Sequence, residues 1–373
     1  MKILLLLRKL DYGGTERQAL ALATGLHRRD WEVEVLLFYP GGPLQSELIE
    51  EGVPVVALGK KGRWDIHSPV VGLRRALNSF RPDVLYTFLD VPNVLGAIVN
   101  PIPSHTRLVW GIRNSGVLPA DTDWFQRAVS WAERKLATRP ALLIANSNAG
   151  RDHVLQWPVD PARIVVIPNG IDTDRFHPCT GAQLQTDLEL GVGSDPIVIG
   201  VVGRLDPMKG HSTLLRAVAQ MAHLKPNARF VCIGGGSSTY LDQLTALTRE
   251  LNLEELVRWI EPQREIESAY RRFDLLCLPS SYSEGFPNVV GEAMACGVPC
   301  IVTDVGDSSL IVGDTGWVVP AGDHKALGRA LLHALQLPRE GRMALGRRAR
   351  QRIEADFSLA RMIDATAEAL ACH

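Results

Sequence analysis

The sequence predicts an α/β protein with two doubly wound domains, each built on a parallel β-sheet with helices on both faces. Short apolar segments alternate with segments of helical periodicity along the whole chain, which is typical of parallel sheets. A length of 373 residues is more than one hydrophobic core needs and enough for two. The alternation breaks between residues 174 and 196, where the chain becomes polar and rich in glycine. We therefore expect domains at 1–175 and 176–355, followed by a helical segment at 356–373.

The first predicted domain contains seven apolar strands separated by helical patterns. Residues 3–7 form a continuous apolar run that stops at Arg8, which is too short for a signal peptide and typical of a strand buried on both faces. The expected strands are 3–7, 33–38, 53–58, 84–87, 108–110, 142–145 and 164–167. The clearest helical patterns are 16–26, 70–78, 124–137 and 148–155.

The second predicted domain repeats the same alternation of strands and helices. Its expected strands are 197–202, 229–233, 257–260, 275–278, 300–303 and 317–319. The last helical pattern covers residues 357–370. In doubly wound domains, ligands bind beyond the carboxyl ends of the strands, so we expect the functional site in a cleft at that edge.

Composition excludes several classes of function. The chain carries 40 Lys and Arg against 41 Asp and Glu, which excludes the basic excess of a nucleic-acid-binding protein. No apolar run approaches the length of a membrane span. Six cysteines lack paired metal-ligand spacing, and several fall in predicted strands, so we interpret them as buried free thiols in a reducing cytoplasm. They are Cys179, Cys232, Cys277, Cys296, Cys300 and Cys372.

Two glutamates, Glu284 and Glu292, stand eight positions apart just after the predicted strand 275–278. Pro287 suits the first turn of a helix, so Glu284 lies in the loop while Asn288 and Glu292 share one face of the helix. The N-terminus of a helix favours phosphate, and each carboxylate can accept two sugar hydroxyls. The pair therefore suits a polyol attached to a phosphate. The alternative is an ordinary strand-loop-helix joint with solvated acids.

The stretch from Glu284 to Glu292, followed by Ala293-Met294-Ala295-Cys296-Gly297-Val298-Pro299, resembles the signature of the retaining glycosyltransferases of family four. These are the group 1 nucleotide-sugar transferases of GT-B fold. The similarity extends to the stretch from Gly203 to Gly210, to Ile167-Pro168-Asn169-Gly170-Ile171-Asp172 and to Gly13-Gly14. The motifs keep the family's order and cover nearly the whole chain.

The resemblance implies a donor site in the second domain. It assigns Glu292 to the ribose hydroxyls and Glu284 to the hexose hydroxyls. The other implied donor contacts are Ile260 at the base and the backbone beside Glu284, namely Gly285, Phe286, Pro287, Asn288 and Val289. The resemblance also implies that the C-terminal helix crosses back to the first domain.

Gly13 and Gly14 follow the first predicted strand and open a helix. Paired glycines let backbone N–H groups approach a phosphate closely, although a tight turn explains them equally well. In the family this loop lies against the donor diphosphate. Thr15 and Gln18 have the spacing of a capping box.

Arg204 and Lys209 lie in a loop directly after the predicted strand 197–202, with Gly203 at its start. Both cations should reach the crevice above the sheet and bind the diphosphate, where they would stabilise the charge of the leaving group. The alternative is a pair of solvated surface cations. Such cations replace the divalent metal of other transferases, so we expect no cofactor and no metal requirement.

Two Asp-x-Asp triplets are candidates for a metal site and have simpler explanations. Asp121 and Asp123 precede the predicted helix 124–137, where acidic residues cap helices. Asp172 and Asp174 follow an Asn-Gly pair, where such residues favour turns.

Arg113 and Asn114 follow the predicted strand 108–110, where many members of the family carry a histidine near the reacting sugar. With Asp90, they are the candidate acceptor-side residues. Arg113 would orient the donor or bind an anionic acceptor, or else form a structural salt bridge. Asp90 ends a strand, and helix capping explains it as well.

The predicted helix at 124–139 is basic, aromatic and amphipathic. Such a helix either rests on an anionic bilayer surface or packs its aromatic side into the core. We expect a cytoplasmic protein, with peripheral contact at the inner face of the membrane as one hypothesis.

The resemblance, together with these residues, implies a retaining transferase that moves a hexose from a nucleotide-diphosphate sugar, with a UDP-hexose as the expected donor. The acceptor is a hydroxyl of a saccharide or a lipid-linked saccharide in polysaccharide or glycoconjugate synthesis. A sugar-nucleotide epimerase and a non-catalytic nucleotide-sugar sensor or assembly partner are the alternatives. A phosphorylase-like protein lacks support, since no distinct site for pyridoxal phosphate is visible.

Overall fold

The computed structural model describes residues 1–100, 105–116, 122–178, 196–223 and 227–372. Contacts divide the chain into two compact units. The first comprises Met1–Gly170 and the segment that begins at Leu359, and the second comprises Ile171–Ser358. The C-terminal segment thus belongs to the first unit.

Hydrogen bonds explain where the units divide. The Gln18 side chain donates to the carbonyl of Gly170 at 2.8 Å and accepts from its N–H at 2.9 Å, which ties Gly170 to the first unit. Ile171 instead donates its backbone N–H to the carbonyl of Phe357 at 2.8 Å. The division therefore falls slightly before residue 175 and slightly after residue 355, the boundaries expected from the sequence.

The sheet of the first unit is seven-stranded and parallel. Its strands are β1 (Lys2–Leu7), β2 (Glu32–Leu37), β3 (Val55–Ala57), β4 (Val84–Phe88), β5 (Arg107–Ile112), β6 (Leu142–Ala145) and β7 (Ile164–Val166). Their order in the sheet is β3-β2-β1-β4-β5-β6-β7.

Seven α-helices accompany this sheet among the described residues. They are α1 (Gly14–His27), α2 (Pro43–Glu50), α3 (His67–Phe80), α4 (Asp90–Val99), α5 (Trp124–Leu136), α6 (Asn148–Val154) and, at the end of the chain, α14 (Leu359–Cys372). Alternate residues of β1 enter different cores: Ile3 and Leu5 pack with α1 and α14, whereas Leu4 and Leu6 pack with α3 and α4. This two-sided burial explains the uninterrupted apolar run at the start of the sequence.

The sheet of the second unit is six-stranded and parallel. Its strands are β8 (Ile197–Val202), β9 (Ala228–Ile233), β10 (Val257–Ile260), β11 (Leu275–Leu278), β12 (Cys300–Thr303) and β13 (Trp317–Val319). Their order is β10-β9-β8-β11-β12-β13. The helices are α7 (His211–Ala222), α8 (Ser238–Glu250), α9 (Ile266–Tyr270), α10 (Asn288–Ala295), α11 (Ser308–Val312), α12 (His324–Gln336) and α13 (Arg339–Asp356).

The predicted strands are confirmed in both units, and the two parallel-sheet domains have the expected architecture. Helices α2 and α4 were not predicted, and α4 begins at Asp90, a residue expected to end a strand. The prediction of a capping box formed by Thr15 and Gln18 is wrong. Gly13 is the N-cap of α1, so Thr15 lies inside the helix, while the Gln18 side chain bonds Gly170.

The cysteine prediction holds for four of the described thiols: Cys232, Cys277, Cys296 and Cys300 are free and buried. Cys372 is free and exposed, and Cys179 lies outside the described residues. In the described parts of the chain, no helix combines the length and apolar character that crossing a membrane requires.

Candidate functional site

The candidate site is built from loops at the carboxyl ends of β8 and β11, which are neighbours in the sheet of the second unit. Parallel strands end at the same edge, so their loops meet there. Gly210 has φ of +66°, and a Cβ at this position would lie 1.9 Å from the carbonyl oxygen of Pro279. Ser281 donates its N–H to the carbonyl of Met208 at 2.7 Å. Only glycine at position 210 permits this close approach of the two loops.

Glu284 and Lys209 form the centre of the site. Lys209 Nζ lies 2.6 Å from Glu284 Oε1, and the Ser280 hydroxyl donates to the same oxygen at 2.6 Å. The side chain of Glu284 is 7% exposed and that of Lys209 is 14% exposed. A carboxylate removed from water is stable only when paired and hydrogen-bonded, and these two contacts provide that.

A third loop, after β12, fixes the Glu284 loop from the other side. The Thr303 hydroxyl donates to the carbonyl of Ser280 at 2.6 Å, and Asp307 donates its N–H to the carbonyl of Gly285 at 2.9 Å. Gly306 has φ of +60°, and a Cβ there would lie 2.4 Å from the carbonyl oxygen of Glu284. Sequence reasoning missed Ser280, Thr303 and Gly306, although each lies at or just beyond the end of a predicted strand.

Arg204 lies beside this centre and points to solvent. Its side chain is exposed, with Nη2 at 3.5 Å from Met208 Sδ. The backbone at Gly203 is packed closely, since a Cβ at Gly234 would lie 1.8 Å from the Gly203 carbonyl oxygen. The two predicted phosphate ligands therefore lie in one loop but differ in their surroundings. Lys209 forms an ion pair with Glu284, whereas the side chain of Arg204 is exposed to solvent.

Glu292 lies on α10, one helical turn after Asn288, as the spacing predicts. The Tyr270 hydroxyl donates to Glu292 Oε2 at 2.8 Å. Pro287 is the N-cap of α10, so its missing N–H costs nothing there. Tyr270 was not predicted, because α9 is short and the two residues lie 22 positions apart.

Among the remaining residues predicted to contact the donor, Phe286 and Val289 place their side chains in the core, and Ile260 forms a backbone hydrogen bond. Phe286 is buried, with its ring 5.5 Å from that of Phe357, so its side chain serves the core and its backbone alone borders the site. Val289 packs against the same core. Ile260 is the last residue of β10, and its carbonyl accepts from the N–H of Gly234 at 3.1 Å.

In the first unit, Gly13 and Gly14 form the junction between the loop after β1 and helix α1. A Cβ on Gly13 would lie 2.2 Å from Glu16 Oε2. Burial raises the pKa of the Glu16 carboxyl, with the charge of Asp11 adding a smaller increase. Glycine at position 13 thus leaves room for an acidic side chain at this helix N-terminus.

Arg113 follows β5 and is held by neutral groups. Its Nη2 donates to the Tyr86 hydroxyl at 2.9 Å and its Nη1 donates to Asn169 Oδ1 at 3.1 Å. The guanidinium lies 5.1 Å from the centre of the Phe88 ring. Within the described chain Arg113 forms no ion pair, and its buried Nε has no acceptor there. Among the described residues, hydrogen bonds to neutral partners orient this cation.

The other acceptor-side candidates have local partners. Asp90 Oδ1 accepts from the N–H of Val91 at 2.9 Å, and its Oδ2 accepts from the Gln126 side chain. Asn114 is exposed, and its Oδ1 accepts from the N–H of Gly116 at 3.2 Å. Asp90 therefore combines a helix-starting position with a link between α4 and α5.

Both Asp-x-Asp triplets behave as turns or caps where they are described. Asp123 caps α5 by accepting from the N–H of Gln126 at 2.8 Å, and it pairs with Arg63. Asp172 Oδ1 accepts from the N–H groups of Asp174 and Arg175. Asp121 lies outside the described residues. No group of three potential metal-binding His, Cys, Asp or Glu side chains occurs in the described segments.

Helix α5 presents an exposed aromatic face, which decides between the two sequence expectations for its tryptophans. Trp124 and Trp131 are 68% and 64% exposed, whereas Val129 and Glu133 are buried. Trp64, which is 63% exposed, stacks on Trp124 with ring centres 5.6 Å apart. The same face carries three cations, namely Arg127, Arg134 and Lys135. The core interpretation is therefore wrong for both tryptophans.

Comparison with known proteins identifies the two halves separately. Residues 12–175 match the model described as glycosyltransferase family 4, and residues 186–352 match the model described as glycosyl transferases group 1. A D-inositol 3-phosphate glycosyltransferase of Kineococcus radiotolerans is 33% identical over 63% of this chain and 58% of its own length. A protein of the same name from Actinosynnema mirum is 28% identical over 83% of this chain and 80% of its own length.

Solved structures share the fold. A crystal structure of the Anabaena protein HepE in complex with UDP has a TM-score of 0.84 at 24% identity, with both chains covered completely. A sucrose-phosphate synthase from Thermosynechococcus elongatus has a TM-score of 0.83 at 21% identity, over 99% of this chain and 98% of its own. At these identities the likeness shows the fold alone, and it confirms two Rossmann-like domains of GT-B type.

Proposed function

The chain belongs to the group 1 glycosyltransferases of family four, and from this premise we propose that it is a retaining, metal-independent hexosyltransferase. The donor we propose is a UDP-hexose, and the acceptor is a hydroxyl of a saccharide or a lipid-linked saccharide. The product then enters a polysaccharide or glycoconjugate. UDP is favoured because the HepE structures contain UDP or UDP-glucose.

The contact between Lys209 and Glu284 is the observation that carries this proposal. An ammonium and a carboxylate 2.6 Å apart, both largely withdrawn from water, match the two ends of a sugar phosphate. Glu284 accepts hexose hydroxyls, which are donors, and Lys209 meets the phosphate oxygens, which carry negative charge. A bound donor would therefore place its hexose against Glu284 and its diphosphate against Lys209 and Arg204.

Catalysis then depends on the charge that develops as the nucleotide diphosphate leaves. Lys209 is preorganised by Glu284, so it needs little rearrangement to stabilise that charge. Arg204 is exposed and adds planar donors that suit phosphate oxygens. The acceptor attacks the face of the sugar from which the diphosphate departs, and the leaving phosphate helps to deprotonate the acceptor hydroxyl. No metal ion is required in this scheme.

Acceptor chemistry is proposed from the first unit. The Arg113 guanidinium donates to two neutral partners among the described residues, and such a group suits an anionic group on the acceptor or the donor. Relatives named D-inositol 3-phosphate glycosyltransferase cover this chain incompletely, and their name describes a phosphorylated polyol. A saccharide or lipid-linked saccharide acceptor with a phosphate nearby is consistent with both observations.

Peripheral contact with the inner face of a membrane, from the cytoplasm, is the second part of the proposal. The exposed face of α5 carries Trp124 and Trp131 together with cations, and Trp64 extends its aromatic surface. Tryptophan suits the interface between headgroups and acyl chains, and cations suit anionic lipids. Such contact would bring the enzyme to a lipid-linked acceptor.

Donor screening tests the proposed function directly. Purified protein is heated with UDP-, GDP- and ADP-hexoses, and a ligand at 100 times its Kd raises the free energy of unfolding by about 2.7 kcal/mol. We expect the largest stabilisation from a UDP-hexose, followed by release of UDP when a saccharide acceptor is added. NMR of the product should show the anomeric configuration of the donor. Inversion of that configuration would contradict the retaining mechanism.

The same assay separates the alternatives. A nucleotide-sugar sensor would be stabilised by the donor but would release no UDP with any acceptor. A sugar-nucleotide epimerase would change the hexose of the donor without an acceptor. The first unit carries the acceptor-side arginine and the second carries a polar donor site, so we favour transfer over both.

A further inference from the structure

Tyr270 is a buried tyrosine next to the proposed ribose ligand. Its side chain is completely buried at the end of α9, and its hydroxyl donates to Glu292 Oε2 at 2.8 Å. Glu292 is only partly buried, on the first turns of α10. A residue of the hydrophobic core, Tyr270, thus donates a hydrogen bond to the Glu292 carboxylate at the edge of the site.

The ring of Tyr270 has little freedom. Phe176 and Phe273 pack against it edge to face, with ring centres 5.9 and 6.0 Å away. Close packing of this kind keeps an aromatic side chain in one rotamer. The hydroxyl is therefore fixed in direction as well as in position.

The tyrosine acts as donor over the whole physiological pH range. Burial raises the pKa of Tyr270 well above its ordinary value, and the charge of Glu292 raises it further. The proton therefore stays on the phenol, and Glu292 Oε2 accepts it in a hydrogen bond. One carboxylate oxygen is thereby held in place, which fixes the plane of the carboxylate group.

We propose that Tyr270 is a positioning residue that orients the Glu292 carboxylate to receive the two vicinal hydroxyls of the donor ribose. This inference rests on the proposed function, since it needs a nucleotide with ribose bound at Glu292. A carboxylate accepts two neighbouring hydroxyls well in only one orientation of its plane. Without the tyrosine hydroxyl, Glu292 would sample other orientations and bind the diol less well.

The test compares two nucleotides on the purified full-length chain by calorimetry. UDP has both ribose hydroxyls, and 2′,3′-dideoxyuridine 5′-diphosphate has neither. We expect wild type to prefer UDP. Tyr270→Phe keeps the ring and its packing, and it should lower the affinity for UDP about tenfold, the size of one lost hydrogen bond in binding. Its affinity for the dideoxy nucleotide should match that of wild type.

Phe230→Leu is the control, because it removes an aromatic ring from another core cluster of the second unit and leaves the ring contacts and hydroxyl of Tyr270 in place. It should lower thermal stability and leave the preference for UDP over the dideoxy nucleotide unchanged. Tyr270→Phe should unfold within a few degrees of wild type.

The outcomes separate this inference from the proposed function. Equal losses for both nucleotides in Tyr270→Phe, or no loss for UDP, would overturn the positioning role and leave the donor site standing. If wild type bound both nucleotides equally, the ribose role of Glu292 would fail and the inference with it. If wild type bound neither nucleotide, the proposed UDP-hexose donor would itself be wrong.

Discussion

Lys209 Nζ lies 2.6 Å from Glu284 Oε1, so the cation assigned to phosphate and the carboxylate assigned to hexose are direct partners. Each also stabilises the other, because both are largely buried. Removing one leaves an unpaired charge in a poorly hydrated place. Among the described residues Arg204 forms no such ion pair, and its exposed side chain contacts Met208.

Loss of either cation should lower turnover more than donor affinity, because the charge they meet grows in the transition state. For Arg204→Ala and for Lys209→Ala we expect kcat to fall on the order of 10²–10³, as for the loss of one preorganised donor. Only Lys209→Ala should also lower the melting temperature, because it leaves the buried carboxylate of Glu284 without its ion-pair partner. Lys325→Ala, an exposed cation on α12, is the control. Turnover within a few-fold of wild type in both variants would contradict the diphosphate assignment.

Substitution of Glu292 and substitution of Glu284 should have different effects on nucleotide binding. Glu292→Ala should weaken binding of free UDP, because it removes the ribose ligand. Glu284→Ala should leave UDP binding largely intact and abolish the additional affinity that the hexose gives to UDP-hexose. Calorimetry with UDP and UDP-glucose measures both effects. Equal losses of UDP affinity in the two variants would show that the roles are wrongly assigned.

Transfer should proceed without added divalent metal and in the presence of EDTA. Lys209 and Arg204 supply positive charge at the phosphates, and Asp123 and Asp172 are engaged in capping and turn contacts. The measurement is the initial rate against EDTA concentration, at saturating donor and acceptor. Activity abolished by EDTA, restored by Mg²⁺ or Mn²⁺, and lost again in an Asp172→Ala, Asp174→Ala double variant would refute metal independence.

Glu133 should make stability depend on pH. Burial raises the pKa of this carboxyl on α5 from 4.5 to about 7, and the hydrogen bond at 2.8 Å from Asn93 opposes the rise. A raised folded-state pKa means that stability is full below pH 4.5, falls as the pH rises to 7, and is then constant. The total loss corresponds to roughly 3 kcal/mol at most.

Glu133→Gln removes this titration while keeping an oxygen for Asn93. The difference in free energy of unfolding between variant and wild type should therefore grow in favour of the variant from pH 4.5 to 7. Chemical denaturation at several pH values measures it, with Glu47→Gln on the exposed side of α2 as control. A constant difference across this range would mean that the pKa of Glu133 is not raised in the folded protein.

The exposed tryptophans should carry membrane binding. In sedimentation with vesicles of phosphatidylglycerol and phosphatidylcholine, Trp124→Ala combined with Trp131→Ala should reduce the bound fraction several-fold, because tryptophan anchors at the headgroup interface. High salt should weaken binding as well, through Arg127, Arg134 and Lys135. Met343→Ala, an exposed apolar residue on α13, is the control. Binding that is unaffected by the tryptophan changes would contradict contact through α5.

Sequence reasoning found the strands and the Glu284 loop because both leave local signals. Continuous apolar runs such as residues 3–7 follow from burial on two faces, and Pro287 marks the start of α10. Tyr270 left no such signal, because its role depends on a partner far along the chain. The contact of Lys209 with Glu284 likewise depends on how two loops meet in space.

The orientation of α5 could not be predicted for a different reason. Trp124 and Trp131 are seven positions apart and share one face of the helix, whereas Val129 lies on the opposite face. Spacing alone therefore places the two tryptophans on one face. What it could not supply was which of the two faces packs inward, since that depends on the Asn93 and Thr87 hydrogen bonds beneath Glu133.

Helix α14 has a consequence for the order in which the chain folds during synthesis. Met362, Ile363 and Leu370 complete the core beneath α1, where Ile363 fills the space beside Gly25. These residues leave the ribosome after the entire second unit. The second unit, being continuous in sequence, can fold while translation continues, whereas the first waits with an open apolar surface for the last residues. A premature stop before Leu359 would therefore damage the unit that was made first.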